Sequence, residues 1–180
     1  MLAGLALLAA AGALAACNLL AAARAGAAAR AVVARWPAAA AGSAGAESDA
    51  LQEADTVVID GRAYLGLLEI SRLELTLPVQ AECTDEALAL GPCRWMGGPA
   101  GRLVIAGHNY AGQFGALGRL ARGDAVAFTD AGGTVRRYTV AAVQRLSGTD
   151  AAAMAGGGWD LTLFTCTLSG GRLAVRCTAA

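Results

Sequence analysis

This 180-residue sequence predicts an all-β domain, closed or nearly closed into a barrel and preceded by one membrane-spanning helix. Three observations carry that reading. Leu2 to Ala23 is an uncharged apolar stretch whose only interruptions are Cys17 and Asn18. From Asp55 onward the pattern changes to short β-rich runs punctuated by Gly, Pro and Asp. Those runs recur as about seven or eight strands at regular spacing, as expected of a single barrel.

About 20 apolar residues cross the hydrocarbon core as a helix, so residues 1–23 read as a transmembrane signal anchor. Two rival readings stay open. A cleaved secretory signal would have a shorter apolar core and a basic start, and no Lys or Arg lies there. A lipoprotein signal is suggested by Leu14-Ala15-Ala16-Cys17, although Leu19 to Ala23 continues the apolar run past that cysteine. Arg24, Arg30 and Arg35 follow the span and nothing basic precedes it, so the positive-inside rule alone would put the C-terminal part in the cytoplasm. Residues 24–54 read as a juxtamembrane helix and linker. The Ala/Arg pattern continues the helix to Trp36, Pro37 ends it, and the Ala/Gly/Ser-rich Ala38 to Ala54 reads as a flexible linker or a loosely docked helix.

Residues 55–180 form the β domain. Thr56 to Ile59 and Tyr64 to Leu68 flank Asp60-Gly61, a tight-turn dipeptide. Leu73, Leu75 and Leu77 alternate with Glu74 and Thr76, the period of a half-buried strand. Leu103 to Ala106 is a short apolar run of core-strand type. Ala125 to Thr129 and Thr134 to Val140 flank a Gly132-Gly133 turn, and Trp159 to Cys166 with Arg172 to Cys177 make the last pair. Only Asp85 to Leu90 and Asp150 to Met154 read as short helical turns.

Composition narrows the function. Formal net charge is zero, so nothing electrostatic points to nucleic acid. The five cysteines form no C-x-x-C pair and have no histidine at zinc spacing, which argues against a structural metal. Cys83 and Cys93 read either as a short disulfide or as two separately buried thiols. Cys166 closes an apolar strand, and the single histidine, His108, follows another. A thiol attacks as thiolate, an imidazole titrates in the range needed to protonate a departing amine, and a guanidinium stabilises an oxyanion. Side-chain alternation puts Thr162, Phe164 and Cys166 on one face. If residues 167–171 form the connection, Arg172 lands opposite or diagonal to Cys166, whereas Arg176 lies roughly 13 Å farther along.

These motifs resemble those of the sortases, the cysteine transpeptidases of Gram-positive cell surfaces. The resemblance runs from Asp60-Gly61-Arg62-Ala63-Tyr64-Leu65-Gly66 and Leu77-Pro78-Val79 through Pro92-Cys93-Arg94-Trp95 and Val104-Ile105-Ala106-Gly107-His108-Asn109-Tyr110. It ends with Leu161 to Thr167 and Arg172 to Cys177. It implies a closed eight-stranded barrel, with Cys166 as nucleophile, His108 as acid and base, and Arg172 holding substrate and oxyanion. Thr165 and Asn109 would contact substrate, and no cofactor is implied. The implied substrates are surface proteins or pilins bearing an LPXTG-like sorting signal, and the acceptor an amine of a peptidoglycan precursor or pilin subunit. The domain would lie outside the membrane, its anchor usually preceded by basic residues, so the true start is expected upstream of Met1. His108-Asn109-Tyr110 and the short final loop lean toward the class B/D type rather than the housekeeping class A. Leu146 to Gly158 offers only Asp150 as a carboxylate, so no calcium site is expected. Two rival functions remain: a cysteine endopeptidase transferring to water, and a lipidated non-enzymatic barrel anchored through Cys17.

Overall fold

In the computed structural model, which describes residues 2–43, 56–147, 151–167 and 170–180, the β domain begins with a two-residue hairpin. Strand β1 (Val57–Ile59) and strand β2 (Arg62–Ile70) meet at Asp60 and Gly61, whose φ angles of 51° and 73° match the twist of a tight turn. The remaining strands are β3 (Leu75–Gln80), β4 (Cys93–Gly97), β5 (Leu103–Ala106), β6 (Ala125–Asp130), β7 (Val135–Leu146), β8 (Leu161–Cys166) and β9 (Arg172–Ala179). Their hydrogen-bonded order is β1-β2-β3-β4-β5-β8-β9-β7-β6, and β6 pairs back onto β2. The eight strands β2 to β9 therefore close on themselves, with β1 appended outside the ring.

Two strands depart from the sequence pattern for one reason. In β4 the pairing with β5 shifts between Arg94 and Met96, and in β7 the pairing with β9 shifts between Val140 and Ala142. An extra residue on one strand breaks the period of two, which hides β4 and makes β7 look shorter than it is. The interior is filled by alternate residues such as Leu68, Leu103, Ile105, Phe128, Leu161, Leu163 and Val175, all fully buried. The intervening residues Val104, Ala106 and Phe164 join Cys93, Met154 and Ala174 in a second cluster on the outer face. Helix α2 (Asp85–Leu90), capped by the Thr84 hydroxyl on Ala87 N–H, flanks that cluster through Leu88, and α3 (Ala151–Ala155) contributes Met154.

The seam between β3 and β4 is thin, a single parallel pair, Gln80 with Cys93. Side chains reinforce it. Cys83 and Cys93 form a disulfide with Cα atoms 5.0 Å apart, which decides between the two readings the sequence left open. Linking residues ten apart in sequence stabilises by about 2.7 kcal/mol on the chain-entropy account. Gln80 Nε2 donates to Ala87 O at 2.5 Å, and Arg94 Nε donates to Ala81 O at 2.9 Å.

Helix α1 (Leu2–Ser43) corrects the expected stop at Pro37 and, for residues 38–43, favours the docked helix over the flexible linker. It does not stop at Pro37 but passes through it for another turn and a half or so. The reason is tertiary. Ala25, Ala29, Val32 and Trp36 are buried against the barrel, and Trp36 packs with Val57, Ile59, Tyr64 and Ala131. Ala39 and Ala40 continue that contact beyond the proline, and Arg35 makes a bidentate pair with Asp60 at 2.8 and 2.5 Å. The apolar stretch Leu7–Pro37 has a mean hydropathy of 1.6, but from Ala25 onward its inner face belongs to the barrel. The candidate membrane span is therefore the earlier part, where Leu7, Leu8, Leu14, Leu19 and Leu20 are exposed. Cys17 sits inside this unbroken helix, and residues 44–54 of the expected linker lie outside the described residues. Trp36→Ala is expected to destabilise the domain by about 3 kcal/mol or more. Denaturant unfolding of the full chain in detergent checks this, and an unchanged midpoint would mean that the helix merely rests on the barrel.

Candidate active site

Three adjacent strands set the site. Strands β5 and β8 run parallel in the register Leu103–Leu161 through Ala106–Phe164, and Gly107 N–H extends the pairing by donating to Phe164 O at 3.1 Å. His108 therefore leaves the end of β5 alongside the end of β8, where Cys166 stands, with neighbouring backbones about 4.8 Å apart. Strand β9 returns antiparallel, and its first residue, Arg172, lies directly opposite Cys166. The three residues, distant in sequence, share one rim of the barrel.

The β8–β9 connection is tight. Thr167 N–H donates to Gly171 O at 2.9 Å, Gly171 N–H donates to the Thr167 hydroxyl at 3.0 Å, and Gly170 has a φ of 82°. This turn returns the chain in register, and Arg172 Nη1 contacts Cys166 Sγ at 2.6 Å. Cys166 is exposed, so the sulfur is open to a substrate. Arg176 does something else. It is 2% exposed and donates to Gln144 Oε1 at 3.1 Å, Met154 O at 2.6 Å, Thr162 Oγ1 at 3.0 Å and Ala153 O. It fastens α3 to the back of β8 and does not face the sulfur.

His108 is half-buried, with its ring tilted against Tyr110 at a centroid distance of 4.9 Å. Burial pushes its pKa below the ordinary 6.5, partly opposed by the carboxylate of Asp85 at the start of α2. The imidazole is thus mostly neutral at neutral pH. Gly107 is needed just before it, because a Cβ there would run into the ring of Phe114, which plugs the barrel beneath. The Gln113 side chain accepts the His108 N–H at 3.1 Å.

The other sequence candidates are placed as follows. Asn109 is exposed beside His108. Thr165 is 3% exposed on the inward face of β8 with Leu161 and Leu163, opposite the face of Cys166. Asp150, on which the calcium expectation rests, lies outside the described residues. Two residues received no role from sequence reasoning. Gln113 carries no motif of its own. Trp95 sits at the β4 bulge, exposed, with its ring edge-on to Phe164 at 5.6 Å, on the face that ends in Cys166. A cavity of about 480 Å³ lined by Arg94, Asp130 and Arg136 lies toward the other end of the barrel, and no cysteine or histidine lines it.

A family model described as "Sortase domain" matches residues 68–180. Among solved structures, sortase A from Corynebacterium diphtheriae is similar at 25% identity and a TM-score of 0.60, covering 66% of this chain and 61% of that one. A lid mutant of Streptococcus agalactiae sortase C1 aligns at 22% identity and a TM-score of 0.63, covering 83% and 85%. A sortase C-1 mutant from S. pneumoniae gives 27% identity and a TM-score of 0.55, covering 65% and 66%. No curated protein matches. These neighbours are of classes A and C, so they lend no support to the class B/D lean.

Two predictions follow from the site's chemistry. In a Cys17→Ser chain, iodoacetamide is expected to label Cys166 alone under native conditions, because burial pushes the Cys177 thiol up to about 12. Peptide mass mapping reads this, and labelling of Cys177 at a comparable rate would contradict it. NMR titration of the single histidine is expected to give a midpoint below 6.5, and Asp85→Asn should lower it further. A midpoint at or above that value, or one raised by the substitution, would reverse the assignment of causes.

Proposed function

The chain belongs to the sortase family, and on that premise we propose that it is a membrane-anchored cysteine transpeptidase acting on an LPXTG-like sorting signal. Cys166 Sγ attacks the carbonyl carbon of the signal's threonine while its proton passes to His108. The tetrahedral oxyanion is stabilised by the Arg172 guanidinium. The bond to the following glycine then breaks, and His108 delivers the proton to the departing amine, leaving an acyl thioester on Cys166. An amine of a peptidoglycan precursor or pilin subunit attacks that thioester, forming a new amide, and the thiol regains its proton by way of His108. Because the resting imidazole is mostly neutral, it can take up the proton that Cys166 releases.

The observation that carries this reading is the 2.6 Å approach of Arg172 Nη1 to an exposed Cys166 Sγ, on the rim where His108 also emerges. Exposed Asn109 is the side chain best situated to meet a peptide, whereas buried Thr165 would act from behind the strand. The exposed apolar half of α1 supports a single membrane span, and a disulfide between Cys83 and Cys93 supports a domain outside the cytoplasm.

The full chain in detergent micelles is expected to cleave a quenched LPXTG peptide, and Cys166→Ala to lower the rate by at least about 10³-fold. Added millimolar amine should give an aminolysis product. Cleavage that survives Cys166→Ala rejects the mechanism, and release to water alone in the presence of amine moves the reading to an endopeptidase.

A further inference from the structure

The backbone of His108 is gripped from both sides by the loop that follows it. Its N–H donates to Gln113 Oε1 at 3.1 Å, and its carbonyl accepts from Phe114 N–H at 3.1 Å. The loop is closed on itself, since Gln113 N–H and Gly115 N–H both donate to Tyr110 O, at 3.0 and 2.9 Å. Upstream, Gly107 is fixed by its bond to Phe164 O on β8. Of these contacts, only the one from Gln113 is made by a side chain, so it is the one a substitution can remove without altering the backbone pattern.

Gln113 is also an expensive residue to bury. It is 1% exposed, and its Nε2 has no hydrogen-bond partner among the described residues. A buried amide with one end unpaired disfavours folding relative to an apolar side chain of similar size. Its neighbour Phe114 is fully buried among aliphatic residues, so packing alone would favour Leu or Met at position 113. What the amide adds is an acceptor for the His108 N–H. Without it that peptide group loses its partner just past the end of β5, and the backbone that carries the imidazole is free to shift on the rim it shares with Cys166.

We propose that Gln113 is a positioning residue for the reaction: its Oε1 fixes the His108 backbone, and with it the imidazole, on the rim that also carries Cys166. This rests on the reading of His108 as the acid and base. A displacement of about 1 Å in a catalytic group is enough to lower a rate by about 10²-fold.

The test compares the full chain in detergent with Gln113→Leu, which removes both amide atoms, and Gln113→Glu, which keeps the acceptor oxygen. For Gln113→Leu the expectation is a kcat lower by about 10²-fold, a KM within about twofold, an unfolding temperature no lower than native, and a shifted His108 amide resonance. Gln113→Glu should recover kcat to within about tenfold of native. A Gln113→Leu chain with native kcat, one that fails to fold, or a folded Gln113→Glu chain as slow as Gln113→Leu overturns the proposal. The alkylation rate of Cys166 by iodoacetamide needs no peptide and separates the two readings. If the native chain does not cleave the peptide yet alkylation slows about tenfold in Gln113→Leu and recovers in Gln113→Glu, the positioning role stands and the transpeptidase reading falls. Equal alkylation rates in all three chains overturn the positioning role itself.

Discussion

The parallel ladder between β5 and β8 is the constraint on which the site depends. Parallel neighbours end at the same side of a sheet, so the chain leaving β5 and the last residue of β8 arrive together although 58 positions separate His108 from Cys166. The antiparallel return of β9 then brings its first residue to the same edge. A one-residue slip in either pairing would turn Cys166 toward the interior or Arg172 away from it. The core resists such a slip, because Leu161, Leu163 and Val175 would leave the interior with it.

Much of this was legible in the sequence. Alternation in Leu73 to Leu77, the Asp60-Gly61 turn and the β8–β9 spacing are local signals, and each corresponds to an element in the structure, except that Leu73 falls in a 3-10 turn ahead of β3. Parity alone did not choose between Arg172 and Arg176; the length of the 167–171 connection put Arg172 opposite or diagonal to Cys166, and the structure has it opposite. Other features are not local. The bulges that conceal β4 and shorten the apparent β7 depend on a partner strand. The passage of α1 through Pro37 depends on Trp36 finding a pocket formed by β1, Tyr64 and Ala131. Gln113 has an ordinary neighbourhood in one dimension, and its contact with His108 exists only once the 108–115 loop has closed.

The disulfide and α1 compensate for the barrel's thinnest places. Between β3 and β4 the backbone supplies one pair, and the Cys83–Cys93 link, the Gln80 amide and the Arg94 guanidinium carry the join. Asp85 begins α2 two residues after Cys83, so the same link holds the carboxylate that acts on His108. On the other side, β1 is an edge strand whose inner residues Val57 and Ile59 would be half-open without Trp36 and Val32 over them.

The docked half of α1 also sets a height. Gly112, four residues past His108, lies against the helix at Gly26, with a Cβ built there only 3.9 Å from the Gly26 Cα. Gly26 comes six residues, or about one and two-thirds turns, after the exposed leucines end at Leu20. A barrel seated on its own stalk at that level cannot swing outward like a bead on a string. The edge that carries His108 is instead held at a fixed level along the helix, about 9 Å past the last exposed leucine, and keeps that level however the helix itself is seated.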